Sequence, residues 1–517
     1  MSALAAARTL DDIARCHARV RADKVALIFE AAEVTYGALD RRIDQAANGL
    51  IAEGVAAGER VAYLGKNSLC YFELLLALAR IGAVMMPLNW RLAPAEMRAI
   101  VADAGAKLVF ATEEFANALD APAGGGLTIR PLALYEDWLA AQPAKYDAAG
   151  REGTSDVLQL YTSGTSGRPK GVRLSHAALL AGRARDLDPS GPQWNRWHET
   201  DVSLIAMPCF HIGGTGFGLN TLYAGATGIV MAQFDAERQL DILLEHGVTK
   251  HFVVPSALRT MLKDPRLANT ALPALKYIHY GASPIPLPLM RQCIEVLGCG
   301  FVQKYGMTET SGTCIALAPE DHTAPANPRM RSVGRPLAGV EVRILGADGA
   351  EVPAGADGEI AIRSATNMSG YWRQEAATRA ALLPGGWLRT GDVGRLDADG
   401  YLYIMDRLKD MIVSGGENVY SAEVEAALLE HPAIREAAVI GVPDERWGEA
   451  VKACVVLKDG KPAEAAAIIE DCRLRIAGFK TPKSVDFLPA LPRNAAGKVL
   501  KQKLREPYWR GLTRAVN

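Results

Sequence analysis

The 517-residue chain has no CxxC pair and no regular spacing among its eight cysteines. Cys16, Cys70, Cys209, Cys293, Cys299, Cys314, Cys454 and Cys472 therefore read as scattered free thiols of a reducing compartment. Charge imbalance is missing too. The formal net charge is −1, which gives no global attraction to nucleic acid or to an anionic membrane surface. No hydrophobic run is long and clean. The most apolar stretch, "YFELLLALARIGAVMMPLNW", is broken by Glu73, Arg80 and Pro87, and reads as a buried helix, a turn at Gly82 and a strand rather than a membrane span. The amphipathic start "MSALAAARTLDDIARCHARV" lacks an apolar core followed by a cleavage site, so no signal peptide is expected and the expected setting is the cytoplasm. Internal repeats and low-complexity tails are absent as well.

What is there is a soluble, globular composition, 49% hydrophobic and 22% charged, in a chain too long for one ordinary core. Over roughly the first three hundred residues, strand-like runs ("ERVAYLG", "AKLVFAT", "DVSLIAMP", "TGIVMA", "KHFVVPS", "LKYIHYG") alternate with helical periods such as "PAEMRAIVADAG" and "ERQLDILLEHG". That alternation predicts layered α/β sheets, largely parallel. From about residue 333 the texture turns to strands, with Asp-Gly hairpin turns at 348–349 and 399–400. The last hundred residues read as helix, strand, strand, helix, strand, with Ser421 as a cap for "AEVEAALLEHP" and Glu423 and Glu425 near its positive end. The expected fold class is α/β plus α+β. A large domain spans 1–405 with a β-rich, barrel-like part at 333–405, a polar hinge follows at 406–410, and a small mobile domain spans 411–517.

Four stretches carry chemistry. "YTSGTSGRPKGV" (161–172) offers consecutive backbone N–H groups, hydroxyls and one lysine, which suits a polyphosphate. It is not a P-loop, because Gly171 rather than a hydroxyl follows Lys170. "YGMTET" (305–310) ends a strand with a ring for stacking, a hydroxyl for a phosphate oxygen and a carboxylate, Glu309, for Mg2+. A plain polar turn accounts for it equally well. "WLRTGDVG" presents Asp392 after a Thr-Gly turn, either to grip ribose hydroxyls or as an Asx-type turn. "PRNAAGKVLK" presents Lys498 on a small flexible loop, for a site elsewhere or simply to solvent.

Together with "MPCFHIGG", "YGASPIP" and "DRLKDMIVSGGENVYSAEVE", the order and distances of these stretches resemble the adenylate-forming superfamily over nearly the whole chain. The family comprises acyl-CoA synthetases, aryl-CoA ligases, luciferases and peptide-synthetase adenylation domains. Membership implies that ATP activates a carboxylic acid to an acyl-adenylate, with release of pyrophosphate, and that the acyl group then moves to a thiol, usually that of CoA. ATP, Mg2+ and CoA are co-substrates, and no tightly bound prosthetic group is expected.

The resemblance further implies residue roles. Thr162, Ser163, Gly164, Thr165, Ser166, Gly167 and Lys170 would hold the β- and γ-phosphates. Gly281, Ala282 and Ser283 would line one face of the adenine and Tyr305 the other, with Gly306 and Met307 completing the ATP wall. Thr308 would touch the α-phosphate and Glu309 would bind the metal. Asp392 and Arg407 would hold the ribose, Lys409 occupies the hinge position, and Lys498 would bridge the substrate carboxylate and the α-phosphate. His211 matches a gate between acyl pocket and thiol tunnel. Gly415 and Gly416 match the tunnel loop. Ile212, Gly213, Gly214, Gly281 and Met307 match the acyl pocket. Catalysis would rest on Lys498, Thr308, Glu309 and His211.

Two residues depart from the pattern. Lys304 stands before Tyr305, where relatives commonly carry a small or amide residue near the adenine amino group, so base recognition there would fall to the backbone carbonyl, and Asn494 stands where threonine is frequent. No carrier domain follows Lys501, which favours free CoA as acceptor. No aspartate appears in "CFHIGG", which disfavours an α-amino acid. The glycines of "HIGGTGFGLN" fit either a roomy acyl pocket or close helix packing. The leading expectation is a medium- or long-chain fatty acid, followed by a bulky arylalkanoic, aryl or alicyclic acid. A luciferase-like oxygenase and a non-catalytic nucleotide binder are the other classes left open, as is a homodimer. No nucleic-acid partner and no transmembrane segment are expected.

Overall fold

Each of the apolar runs forms a strand. In the computed structural model, which describes residues 4–119, 126–146, 155–162, 169–283, 285–322, 327–414, 417–493 and 499–510, they assemble into two large sheets. A nine-stranded sheet runs in the order Arg335–Pro336, Gly312–Leu317, Gly300–Met307, Tyr277–Gly281, Lys250–Val253, Val202–Ile205, Thr227–Val230, Val25–Phe29, Ala32–Thr35. Its six central strands are parallel and its margins antiparallel. A seven-stranded sheet runs Gly370–Tyr371, Lys170–Ser175, Asp156–Thr162, Val84–Pro87, Arg60–Leu64, Leu108–Ala111, Thr128–Pro131. Parallel strands need crossovers, and the intervening helical periods supply them.

The apolar stretch with two charges becomes the helix Leu69–Ile81, the left-handed turn at Gly82 (φ 71°) and the strand Val84–Pro87. The helix is buried on nearly every face. Its charges survive there because they are paired: Glu73 takes Arg42 at 2.6 Å, and Arg80 takes Asp40 and Asp44, each at 2.6 Å. No helix among the described residues is long and apolar enough to cross a membrane.

The two faces of the nine-stranded sheet differ. Leu204, Val253, Ile278, Tyr280 and Phe301 pack with Leu240, Leu258, Met261 and Met290 from the helices on one side. On the other side lies the helix Ile212–Ala224, held by a Ser203–Thr221 hydroxyl contact of 2.6 Å and by Phe217 stacked on Phe252 and edge-on to His279. The register pairs Phe252 with His279, and Gly281 with Lys304, so all four positions belong to this second face.

By internal contacts the chain divides into two units: Met1–Glu341 with Arg363–Leu388, and Val342–Ile362 with Arg389–Asn517. The second unit holds the pair Trp387–Leu396 and Leu402–Arg407 for most of its length. It also holds a five-stranded sheet in which Gly448–Leu457 lies between Ile434–Asp444 and Ile412–Ser414 and pairs in parallel with Ser484–Phe487. The α/β plus α+β class is thus the one expected. One local detail differs. Ser421 is the first helical residue rather than the cap, and its N–H and hydroxyl both donate to Asp406 Oδ2, at 2.6 and 2.7 Å. A carboxylate from the strand Leu402–Arg407 does what the serine side chain was expected to do.

Candidate active site

The phosphate-binding candidate is the turn of a hairpin. Thr162 ends one strand, Lys170 begins the next, and the two are register partners. Of the residues between them, Ser163, Gly164, Thr165, Ser166 and Gly167 lie outside the described residues. The strand Gly370–Tyr371 adds to the free side of this hairpin, with Tyr371 opposite Val172. That pairing puts the Tyr371 ring 4.7 Å from the ammonium of Lys170, a cation–π distance.

Tyr371 also reaches the second motif. Its hydroxyl donates to Glu309 Oε1 at 3.0 Å, and the carboxylate is 7% exposed. Burial, then the charge of Glu309, pushes the Tyr371 phenol pKa up, so it stays a donor. Glu309 sits in the short helical turn Thr308–Thr310 directly after the strand Gly300–Met307. Thr310 pins that turn, accepting from Met307 N at 3.0 Å and donating to Gly312 O. Close approach of backbones demands the glycines here. A Cβ on Gly306 would lie 2.0 Å from Gly312 O, and one on Gly281 2.2 Å from Lys304 O. The next residue, Ala282, has a left-handed backbone (φ 65°), a conformation that costs energy in a residue with a Cβ and concentrates at functional sites.

Mg2+ wants hard oxygen ligands and keeps few protein ones when it travels with a polyphosphate. A single buried carboxylate held by a phenol, with a lysine on the same ring, fits that need. Among the described residues no cluster of three or more His, Cys, Asp or Glu forms a metal site of its own.

His211 caps the helix Ile212–Ala224 by position, its ring stacked edgewise on Phe210 at 4.6 Å. Burial, reinforced by Arg91, lowers its pKa to about 4, so the imidazole is neutral. Its Nε2 is enclosed and has no hydrogen-bond partner among the described residues. Ile212 lies against Gly312 and packs with Met307 and Phe252 on the main core. The glycines after it are explained largely by packing. A Cβ on Gly214 would meet Met207 O at 2.4 Å, and one on Gly218 the Phe72 ring at 2.4 Å. A Cβ on Gly213 would meet nothing but the Phe252 ring of the sheet face, its edge at 2.9 Å.

In the second unit, Asp392 and Arg407 are cross-strand partners with Nε–Oδ1 at 3.5 Å, and Gly391 before them has φ 71°. Two candidates far apart in motif terms are thus neighbours on one hairpin. Lys409 lies just beyond. Burial lowers its pKa, with Asp410 opposing. Arg505 fixes the segment by pairing with Asp410 at 2.8 Å. Gly415, Gly416 and Lys498 lie outside the described residues.

Tyr371 is not among the sequence candidates. Its stretch, "SGYWRQ", matches none of the four motifs, and only the antiparallel pairing to the Lys170 strand brings it to Glu309.

Comparison with known proteins agrees with this geometry. The AMP-binding enzyme family matches residues 15–372, and the AMP-binding enzyme C-terminal domain matches residues 423–498. A fatty acid–[acyl-carrier-protein] ligase, ScoC of Streptomyces coeruleorubidus, is 39% identical over 99% of this chain and 98% of its own. A feruloyl-CoA synthase of an Amycolatopsis species is 39% identical over 95% and 97%. The crystal structure of ATP-bound MatB from Rhodopseudomonas palustris superposes with a TM-score of 0.87 at 31% identity, covering 96% of this chain and 99% of that one. The chain therefore belongs to the AMP-binding, adenylate-forming enzyme superfamily, and it is a ligase of the AMP-forming acyl-CoA synthetase type, with ATP, Mg2+ and CoA as co-substrates.

Proposed function

We propose that the protein joins a largely apolar carboxylic acid to CoA, in two steps at the residues named above. The observation that carries this reading is Tyr371, which touches both the lysine that closes the glycine-rich turn and the buried carboxylate of "YGMTET". In the first step an acid oxygen attacks the α-phosphorus of ATP and pyrophosphate leaves. Lys170 and the turn before it hold the β- and γ-phosphates, and Thr308 donates to the α-phosphate. Glu309 would hold the divalent cation, which would neutralise phosphate charge when bound. Lys498 would bridge two like-charged groups, the carboxylate and the phosphate, where a fixed cation is worth most. Gly281, Ala282, Ser283, Tyr305, Gly306 and Met307 wall the adenine, and Asp392 with Arg407 takes the ribose. In the second step the CoA thiol attacks the acyl carbon and AMP leaves. Gly415 and Gly416 give the pantetheine arm room, and neutral His211 gates its path without adding a charge to the thioester site. Residues 1–405 act as the adenylation domain, 406–410 as hinge around Lys409, and 411–517 as the domain that carries Lys498.

For the acid, a medium- or long-chain fatty acid leads and an arylalkanoic or aryl acid follows. The ScoC and feruloyl-CoA relatives span that range by name. ScoC's name also makes the phosphopantetheine of a carrier protein the second candidate acceptor. The free thiols, none in a disulfide among the eight, suit a cytoplasmic setting. The test is a panel of fatty, aryl and alicyclic acids assayed for AMP release with ATP and either CoA or a carrier protein. Acid-dependent AMP release that needs CoA supports the reading. ADP formation, or AMP release indifferent to the acid, contradicts it.

A further inference from the structure

The sheet face that the helix Ile212–Ala224 covers is not uniformly apolar. Lys250, His279 and Lys304 stand on it in three adjacent strands. Lys250 is accounted for by an ion pair with Asp201 at 2.9 Å, both side chains nearly fully buried, under the ring of Trp197. Lys304 is not accounted for in this way. Its ammonium is surrounded by protein while the residue keeps some accessible surface. Its one hydrogen bond among the described residues goes to the amide oxygen of Asn195, and the ring of Trp194 lies 5.4 Å away. No carboxylate pairs with it directly among the described residues. Asp186, the acid nearby, is already engaged by Arg185 at 2.9 Å, Asn195 at 2.9 Å and Asn220 at 3.3 Å.

The surroundings are cationic on balance. Lys304, Lys250, Arg185 and Arg183 face Asp186 and Asp201, four cations against two carboxylates. Burial, with the neighbouring cations Arg185 and Lys250 adding to it and Asp186 opposing, lowers the Lys304 pKa to about 7. An ammonium under that stress gains most from one more negative or lone-pair-bearing oxygen. A second group on the same face also lacks a partner. His279 is 3% exposed, and its Nε2 has no hydrogen-bond partner among the described residues. His279 lies two residues before Gly281, the register partner of Lys304, and Lys304 contributes to the lowering of its pKa.

The position fits the far end of the acid. Lys304 is four residues before Thr308, which opens the turn after the Lys304 strand, at most about 13 Å along the chain. Phe252 shares the sheet face of Lys304, and Ile212, Met307 and Phe252 pack against the main core to which Phe217 belongs. A medium-length acid with its carboxylate at Thr308 would place its other end at the ammonium.

We propose that the preferred acid carries an oxygen acceptor at its far end, a second carboxylate or a phenolic oxygen, and that Lys304, held by Asn195, receives it. This rests on the acid–CoA ligase reading above and narrows its substrate class. An unsubstituted alkyl end would instead cover the ammonium with hydrocarbon and offer it no acceptor.

The experiment compares kcat/KM for matched acids in the intact enzyme: octanedioate with octanoate, and 4-carboxycinnamate and 4-hydroxycinnamate with cinnamate. The wild type should prefer the oxygen-ended member of at least one set, and which set responds separates carboxylate from phenol. Lys304→Met should cut that preference by about ten- to a hundredfold and improve the matching alkyl- or hydrogen-ended acid. Asn195→Asp, which pairs the ammonium internally, should move the ratio in the same direction, and it serves where the methionine variant is poorly folded. Unchanged ratios in both variants, or a wild-type preference for the unsubstituted acids, overturn the proposal while leaving the ligase reading intact. No AMP release with any acid and CoA would overturn both.

Discussion

The phenol of Tyr371 donates to Glu309 Oε1 at 3.0 Å, which ties the strand edge beside Lys170 to the carboxylate of "YGMTET". Tyr371→Phe keeps the ring over Lys170 and removes only the donor. A hydrogen bond to a charged group contributes about 1.5–3 kcal/mol, so Mg·ATP use should weaken by roughly ten- to a hundredfold in acyl-adenylate formation. Thioester formation from supplied acyl-adenylate should be nearly unchanged. Equal loss in both assays would show that Tyr371 serves the fold and not a metal-binding role of Glu309.

The glycines after His211 should separate by what their missing Cβ would meet. Gly214→Ala would press on the backbone oxygens of Met207 and Pro208 at 2.4 and 2.5 Å, which cannot move cheaply. Its cost should be about 1–3 kcal/mol in urea unfolding. Gly213→Ala meets only the edge of the Phe252 ring, a side chain that can turn, and should cost less than about 1 kcal/mol while altering the acid profile. The reverse ranking would mean that the helix sits differently on the sheet.

Acid should destabilise the protein from near neutrality. Burial lowers the pKa values of His17, His211, His251 and His322 to about 4, and of His279 well below its ordinary value. Between pH 6.5 and 4 the unfolded chain therefore binds more protons at these positions than the folded one. Their contribution to stability is complete above pH 6.5 and is lost as pH falls through that window. Unfolding in urea at pH 5.5 should take up several protons, measurable as the pH dependence of the transition midpoint. A midpoint flat between pH 7 and 5 would contradict the buried, neutral state of these rings.

Lys498→Ala should slow acyl-adenylate formation by roughly a hundred- to a thousandfold, the cost of losing one preorganised charge donor. The same variant, supplied with acyl-adenylate and CoA, should form thioester at close to the normal rate. Damage to both half-reactions alike would assign Lys498 to folding or to CoA binding instead.

Much of the fold is legible in sequence because it is local. Alternating apolar runs and turn residues mark strands such as Leu108–Ala111 and Tyr277–Gly281 without reference to the rest of the chain. Asp392 and Arg407 are both marked by their motifs, but their pairing is a property of the hairpin. What escapes is long-range. Tyr371 meets Glu309 across 62 residues, and Lys304 meets Asn195 across 109, so no spacing rule joins them. Lys304 stands out in sequence only as an unusual neighbour of Tyr305. The glycines after His211 are ambiguous because a missing side chain looks the same whether it admits a substrate or another part of the fold. The Met207 carbonyl decides that for Gly214, whereas at Gly213 a Cβ would meet only the movable Phe252 ring, so substitution there is what separates the two readings.

The most direct test of the two-step chemistry follows one oxygen atom. An accepted acid with both carboxylate oxygens labelled with 18O is incubated with ATP, Mg2+ and CoA, and the products are resolved by mass spectrometry. If the carboxylate attacks the α-phosphorus and the thiol then displaces AMP, each AMP carries one 18O and pyrophosphate carries none. Label in inorganic phosphate or pyrophosphate, or AMP without label, would contradict an acyl-adenylate and with it the proposed roles of Thr308, Glu309 and Lys498.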